Sequence, residues 1–97
     1  MEFLIKRTDG DWFSLHKDNF SQVLRPKSVQ SEPCEGWGDY RIKISEGYIS
    51  FSFEEPGLQI SFEQYTGPPE HAHRIVREIL RNIEEFSKER GSIIELG

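Results

Sequence analysis

From Tyr40 to Glu63 apolar and polar residues alternate almost one by one. Tyr40, Ile42 and Ile44 are interleaved with Arg41 and Lys43; Ile49, Phe51 and Phe53 with Ser50, Ser52 and Glu54; Leu58, Ile60 and Phe62 with Gln59, Ser61 and Glu63. A two-residue period sends alternate side chains to opposite faces, so these segments predict three half-buried strands. Ser45-Glu46-Gly47 and Glu55-Pro56-Gly57 join them, and the second suits a type II turn, in which proline presets φ and glycine accepts a positive one. Connections this short force an antiparallel meander. Beyond Thr66-Gly67 the period changes. Ala72, Ile75, Val76, Ile79, Leu80, Ile83 and Phe86 recur at threes and fours, the apolar stripe of an amphipathic helix. Pro68 and Pro69 preorganise its first turn and Glu70 suits the positive end of its dipole. Lys88 and Arg90 suit the negative end and Gly91 a left-handed cap, so the predicted helix runs over 68–91. Ser92 to Leu96 predicts a short closing strand, at an edge or beside the N-terminal strands.

The N-terminal half is less regular. Glu2 to Thr8 predicts a strand, and Asp9-Gly10 is a hairpin signal leading into Asp11 to His16, so a first hairpin is expected over 1–16. Phe20, Val23 and Leu24 fall at the spacing of one helical turn between a Lys17-Asp18-Asn19 cap and Pro26, which predicts a short helix or 3₁₀ turn. Lys27 to Asp39 carries Pro33, Gly36 and Gly38 and almost no periodicity, so it reads as loop. Connections of about 12 residues or more without secondary structure are uncommon in a compact domain and are more often functional or disordered than plain linkers. Trp37 is its one large apolar group, and the expectation is that it folds back onto the core as a plug.

Composition narrows the classes. At 97 residues the chain suits one domain, and seven Phe, three Tyr and two Trp let a small core bury much apolar area. Twelve Lys plus Arg against seventeen Asp plus Glu give a formal charge of -5, which opposes nucleic-acid binding unless cations cluster. Arg74, Arg77 and Arg81 come closest, but Glu70, Glu78, Glu84, Glu85 and Glu89 share their segment, so this is a mixed-charge solvated face. The single Cys34 cannot form an internal disulfide, the first residues are too short an apolar run for a signal peptide, and no window approaches the ~20 apolar residues of a membrane span. A soluble cytoplasmic protein is expected, with no membrane or nucleic-acid partner.

No active site assembles from these residues. His71 and His73 are two apart on a predicted helix and diverge, and His16 pairs with neither at the i, i+4 spacing that sets two imidazoles on one metal. Glu54-Glu55 and Glu84-Glu85 are adjacent pairs, which diverge in strand and helix alike, so neither forms an acid–base couple. Cys34 has no basic neighbour in sequence to activate it. No phosphate loop or nucleophile elbow is present. No cofactor, metal or catalytic residue is therefore expected.

What remains is a surface. If Ile42, Phe51 and Ile60 face the helix, the other sheet face presents Arg41, Lys43, Tyr48, Ser50, Ser52, Gln59, Ser61, Glu63 and Tyr65. A one-sided sheet needs such a mixture merely to stay soluble. The same mixture is also that of a recognition face, where tyrosine gives contact area at low entropic cost and serines hydrogen-bond, with Trp37 or Trp12 as an anchor. The expected fold is α+β: an antiparallel sheet of five or six strands with one long C-terminal helix packed on one face. The expected function is protein binding, as a small adaptor or inhibitor, with a basic partner suiting the acidic charge and the chain itself a monomer or homodimer. In size and acidity the chain resembles small immunity proteins that neutralise a toxin, although no motif ties it to a named family. The alternative is a small-ligand binder or enzyme with a pocket between the 27–39 loop and the sheet.

Overall fold

A computed structural model describes residues 1–54 and 57–97 of the chain. Glu55 and Pro56, and with them the predicted type II turn, lie outside the described residues. In chain order the elements are β1 (Glu2–Arg7), a 3₁₀ turn (Lys17–Asn19), α1 (Phe20–Leu24), β2 (Glu32–Pro33), β3 (Tyr40–Ile44), β4 (Gly47–Glu54), β5 (Gly57–Glu63), α2 (Pro69–Ser87) and β6 (Gly91–Glu95).

The fold is α+β. All strands join one antiparallel sheet of order β2-β3-β4-β5-β1-β6, with α2 packed across one face. The alternating segments form the meander their period predicts, and the register sets Ile42 opposite Ile49 and Phe51 opposite Ile60. Because like positions stand opposite each other, the whole apolar set falls on the helix side. There Phe3, Ile5, Ile42, Ile49, Phe51, Leu58 and Ile60 meet Ala72, Ile75, Val76, Ile79 and Ile83 of α2. Phe13, Phe20, Val23 and Leu24 close one end of this core. Burying an isoleucine fully contributes about 1.5–3 kcal/mol, so these side chains are the main favourable term set against the entropy of ordering the chain.

The first hairpin does not form. Both edges of β1 are already paired, with β5 on one side and β6 on the other, so Asp11 to His16 has no strand to join. Its backbone is held by side chains instead. Asp11 N–H donates to Asp9 Oδ1 at 3.0 Å, Arg7 Nη1 to the Trp12 carbonyl at 2.7 Å, and Ser14 N–H to Glu89 Oε1 at 2.7 Å. The sixth strand comes from the expected loop, where Glu32 and Pro33 pair with Lys43 and Ile42.

The long helix ends earlier than 91. Lys88 takes the left-handed position at φ 63°, and its N–H donates to the Glu84 carbonyl at 2.9 Å. Gly91 instead opens β6, where a Cβ would lie 2.5 Å from Phe13 Cζ and 2.9 Å from the Lys6 carbonyl. The glycine serves close packing of strand on core rather than a helix cap. Phe86, placed on the apolar stripe by spacing, is exposed. Tyr65 also changes sides. Gln64 adopts φ 51°, which breaks the strand alternation, and the Tyr65 ring packs edge-on to Phe62 with centroids 5.2 Å apart.

Candidate functional site

The sheet face away from α2 carries the expected residues in adjacent rows. Arg41, Ser50, Ser61 and Glu2 stand opposite one another across β3, β4, β5 and β1; Lys43, Tyr48 and Glu63 form the next row on one side, and Ser52, Gln59, Leu4 and Ile94 the next on the other. The two-residue period therefore brings all eight candidate strand residues onto one surface. They differ in how much of it they expose.

Arg41 organises the centre. Its Nε and Nη2 both lie 3.0 Å from Glu63 Oε1, and its guanidinium carbon stands 4.1 Å from the centre of the Tyr48 ring. Ser50, 0% exposed, donates its hydroxyl to the same Glu63 oxygen at 3.0 Å. Burial works against the charge of Arg41, but the hydrogen bond and charge of Glu63 outweigh it and raise the guanidinium pKa. Ser52 and Ser61 are also buried, with Ser52 Oγ donating to Glu54 Oε1 at 3.3 Å, and Gln59 donates to Glu2 Oε1 at 2.8 Å. The three serines are thus part of the packed structure and are not free contact groups. Lys43 is exposed, and Tyr48, Gln59 and Glu63 are half-buried.

Residues 34–39 fold over this face. At the start of the segment, Cys34 N–H donates to the Arg41 carbonyl at 2.9 Å, and Arg41 Nη1 reaches the Glu35 carbonyl at 2.9 Å. Arg41 Nη1 also stands 3.6 Å from the Cys34 thiol. At its end, Asp39 N–H donates to the Phe51 carbonyl and Asp39 Oδ2 accepts from Phe53 N–H, both at 2.7 Å. Gly38 between these clasps has φ 98°, and a Cβ there would lie 2.6 Å from the Phe51 carbonyl oxygen. Only glycine combines that dihedral with that approach.

Trp37 sits at the crest of this fastened loop and is 50% exposed, so the expected plug is not formed. With Met1, Glu2, Gln59, Ser61, Phe62 and Glu63 it lines a shallow depression of about 430 Å³. The loop is too short between its clasps, and too closely laid on polar residues, to carry the indole to the core on the opposite face. Trp12 is also partly exposed, on the other side of the sheet beside Phe53 at a centroid distance of 6.5 Å.

The remaining candidates are dispersed. A groove of about 860 Å³ runs where the end of α1 and residues 25–32 meet the end of β3, lined by Arg25, Lys27, Glu32 and Lys43 among others. Arg25 is occupied, with Nε donating to Ser31 Oγ at 3.1 Å. His16 accepts from Asp18 N–H at 3.2 Å; His73 stands edge-on to Phe3, 3.4 Å from Glu95; and His71 Nδ1 lies 2.6 Å from Glu46 Oε2. The His71–Glu46 contact ties the start of α2 to the β3–β4 turn, and Tyr65 beside it donates to the Pro68 carbonyl at 2.9 Å. Burial, with the Glu46 charge, raises the Tyr65 phenol pKa. Among the described residues no group of three or more His, Cys, Asp or Glu is arranged to hold a metal ion, and no helix is long and apolar enough to cross a membrane.

Gly36 and Gly38 ahead of β3 are the sequence signal of this loop, and they do not name the partners of its clasps. Comparison with protein-family models, with curated proteins and with solved structures finds no match for this chain.

Proposed function

We propose that the protein is a small acidic cytoplasmic binding module, an adaptor or inhibitor, that grips a protein partner through Trp37 and the groups of the same sheet face that stay at least partly accessible, chiefly Lys43, Tyr48, Gln59 and Glu63. The observation that carries this reading is Trp37, half exposed on a loop fastened at both ends. Exposing an indole forgoes the stability its burial would give, while holding it in place removes most of the ordering cost of using it in a complex. Tryptophan anchors of this kind, ringed by polar groups, are where interface energy concentrates. The formal charge of -5 favours a basic partner by long-range attraction.

Arg41 and Ser50 enter this surface as supports. Substituting them disturbs folding, so they do not test binding cleanly. Trp37→Ala does. The expected result is that the wild-type protein captures one stoichiometric partner from its native lysate, that the variant loses it, and that its melting temperature is unchanged. Normal capture by Trp37→Ala would remove the basis of this reading.

A second reading rests on the groove beside α1, whose Lys27 and Lys43 suit a small anionic ligand. A metabolite screen by thermal shift tests it, because a ligand in excess that binds only the folded protein must raise the melting temperature.

A further inference from the structure

The two edges of the sheet are treated differently. One edge is β2, only two residues long and containing Pro33, which has no N–H to offer a further strand. The other is β6, five residues without proline or lysine and with Glu95 as its one charge. The Arg90 carbonyl accepts from Thr8 N–H at 3.0 Å and Leu96 N–H donates to the Glu2 carbonyl at 2.8 Å, so even-numbered backbone groups here face β1. Strand alternation then turns those of Gly91, Ile93 and Glu95 away from it. Gly91 N–H is met by the Glu84 carboxylate at 3.1 Å, while the groups of Ile93 and Glu95 meet no strand among the described residues. On the face away from α2, Ile94 and Leu96 are 42% and 51% exposed, with Leu4 opposite Ile94.

We propose that β6 pairs with β6 of a second copy of this chain, antiparallel about a two-fold axis at Ile93, so that the sheet continues across a dimer. The charge pattern selects a second copy as the occupant. Along this corner of the outer face Glu2 stands at one end, Leu4 and Ile94 in the middle, and Lys6 and Arg90 at the other. An antiparallel two-fold reverses that order, so each copy's acidic end meets the other's basic end and the apolar middles merge. With Ile93 opposite Ile93 of the second copy, Leu96 faces Arg90, Ile94 faces Ser92 and Glu95 faces Gly91, whose N–H exchanges the Glu84 carboxylate for the Glu95 carbonyl of the second copy. Shifting the axis to Ile94 sets the two Glu95 side chains diagonally adjacent, which disfavours that register.

Two five-residue strands bury less than the ~1,600 Å² of a standard interface, so the dimer forms in the micromolar range rather than the nanomolar. This surface shares only Glu2 with the depression beside Trp37, and the inference holds whether or not that loop binds a partner. Sedimentation equilibrium over about 5 to 500 µM, a span that brackets such affinities, tests it. The expected result is a mass rising from 11.4 kDa towards twice that value. Ile93→Pro, which removes an outward N–H, weakens association at least tenfold, and Arg90→Glu weakens it and reverses its salt dependence. Trp37→Ala leaves it unchanged. If Ile93→Pro does not fold, the exposed Arg90→Glu variant decides. A wild-type protein that stays at 11.4 kDa at the highest concentration overturns the proposal and leaves β6 to a different chain. A dimer whose affinity neither variant alters overturns it equally.

Discussion

Replacing Gly38 by alanine tests whether the loop beneath Trp37 is held as tightly as its contacts imply. The residue has φ 98°, and an added Cβ would stand 2.6 Å from the Phe51 carbonyl oxygen, a backbone atom in a central strand. The dihedral alone costs a residue with a side chain about 1–2 kcal/mol. The clash adds to it, because the backbone must shift away from the carbonyl that accepts Asp39 N–H at 2.7 Å. Losing that hydrogen bond costs about 0.5–1.5 kcal/mol, for a total near 2–3 kcal/mol. In a domain of this size each kcal/mol lowers the melting temperature by about 4–8 °C, so Gly38→Ala should lose about 10–20 °C. Gly10→Ala is the matched control. Its φ is 81°, and a Cβ there meets nothing within 4 Å, so it should lose only the dihedral cost. Thermal melts followed by circular dichroism compare the two. Equal losses would show that the loop yields freely and that its approach to Phe51 holds nothing.

Two further outcomes follow from the side-chain networks. Glu89 accepts from the Ser14 hydroxyl and N–H and lies beside Arg7; the hydrogen bonds, with Arg7 adding to them against partial burial, hold its carboxyl below the ordinary range. A depressed folded pKa gives stability that is present above the unfolded value, about 4.3 for a glutamate, and is lost as pH falls through the folded one. The melting temperatures of wild type and Glu89→Gln should therefore differ most near neutral pH and converge in acid; a constant gap contradicts this. Arg41→Ala leaves Glu63, which still accepts from the buried Ser50 hydroxyl, without its cation, and urea denaturation should show a lower midpoint than wild type. Arg41→Lys should recover only part of the difference, since an ammonium does not offer the two donors that meet Glu63.

Where the apolar pattern was strong, sequence and structure agree. The meander and the α2 stripe follow from periods of two and about 3.6, because those segments bury one face and little else competes. Disagreements arose where a distant partner decided. Asp9-Gly10 turns the chain, yet no hairpin follows, since β6 occupies the edge that the second strand would need. Gly91 looks like a helix cap locally but is required by Phe13 and Lys6, residues far away in sequence. Alternation placed the eight polar strand residues on one face correctly, yet it carried no information about depth. The loop laid over Ser61 and the Arg41–Glu63–Ser50 network turned part of that face inward. Trp37 was expected inside on hydrophobicity alone, and its clasps to β3 and β4 keep it outside.

The proposed function needs Trp37 to be presented rigidly, as an anchor ready for a partner. Nitrogen-15 relaxation on the free protein measures this directly, at the backbone of residues 34–39 and at the Trp37 indole N–H. A rigidly held indole gives order parameters near those of the flanking strands, about 0.85, at both places. Values below about 0.6, typical of a mobile segment, would contradict it and leave Trp37 as an indole on a loose loop.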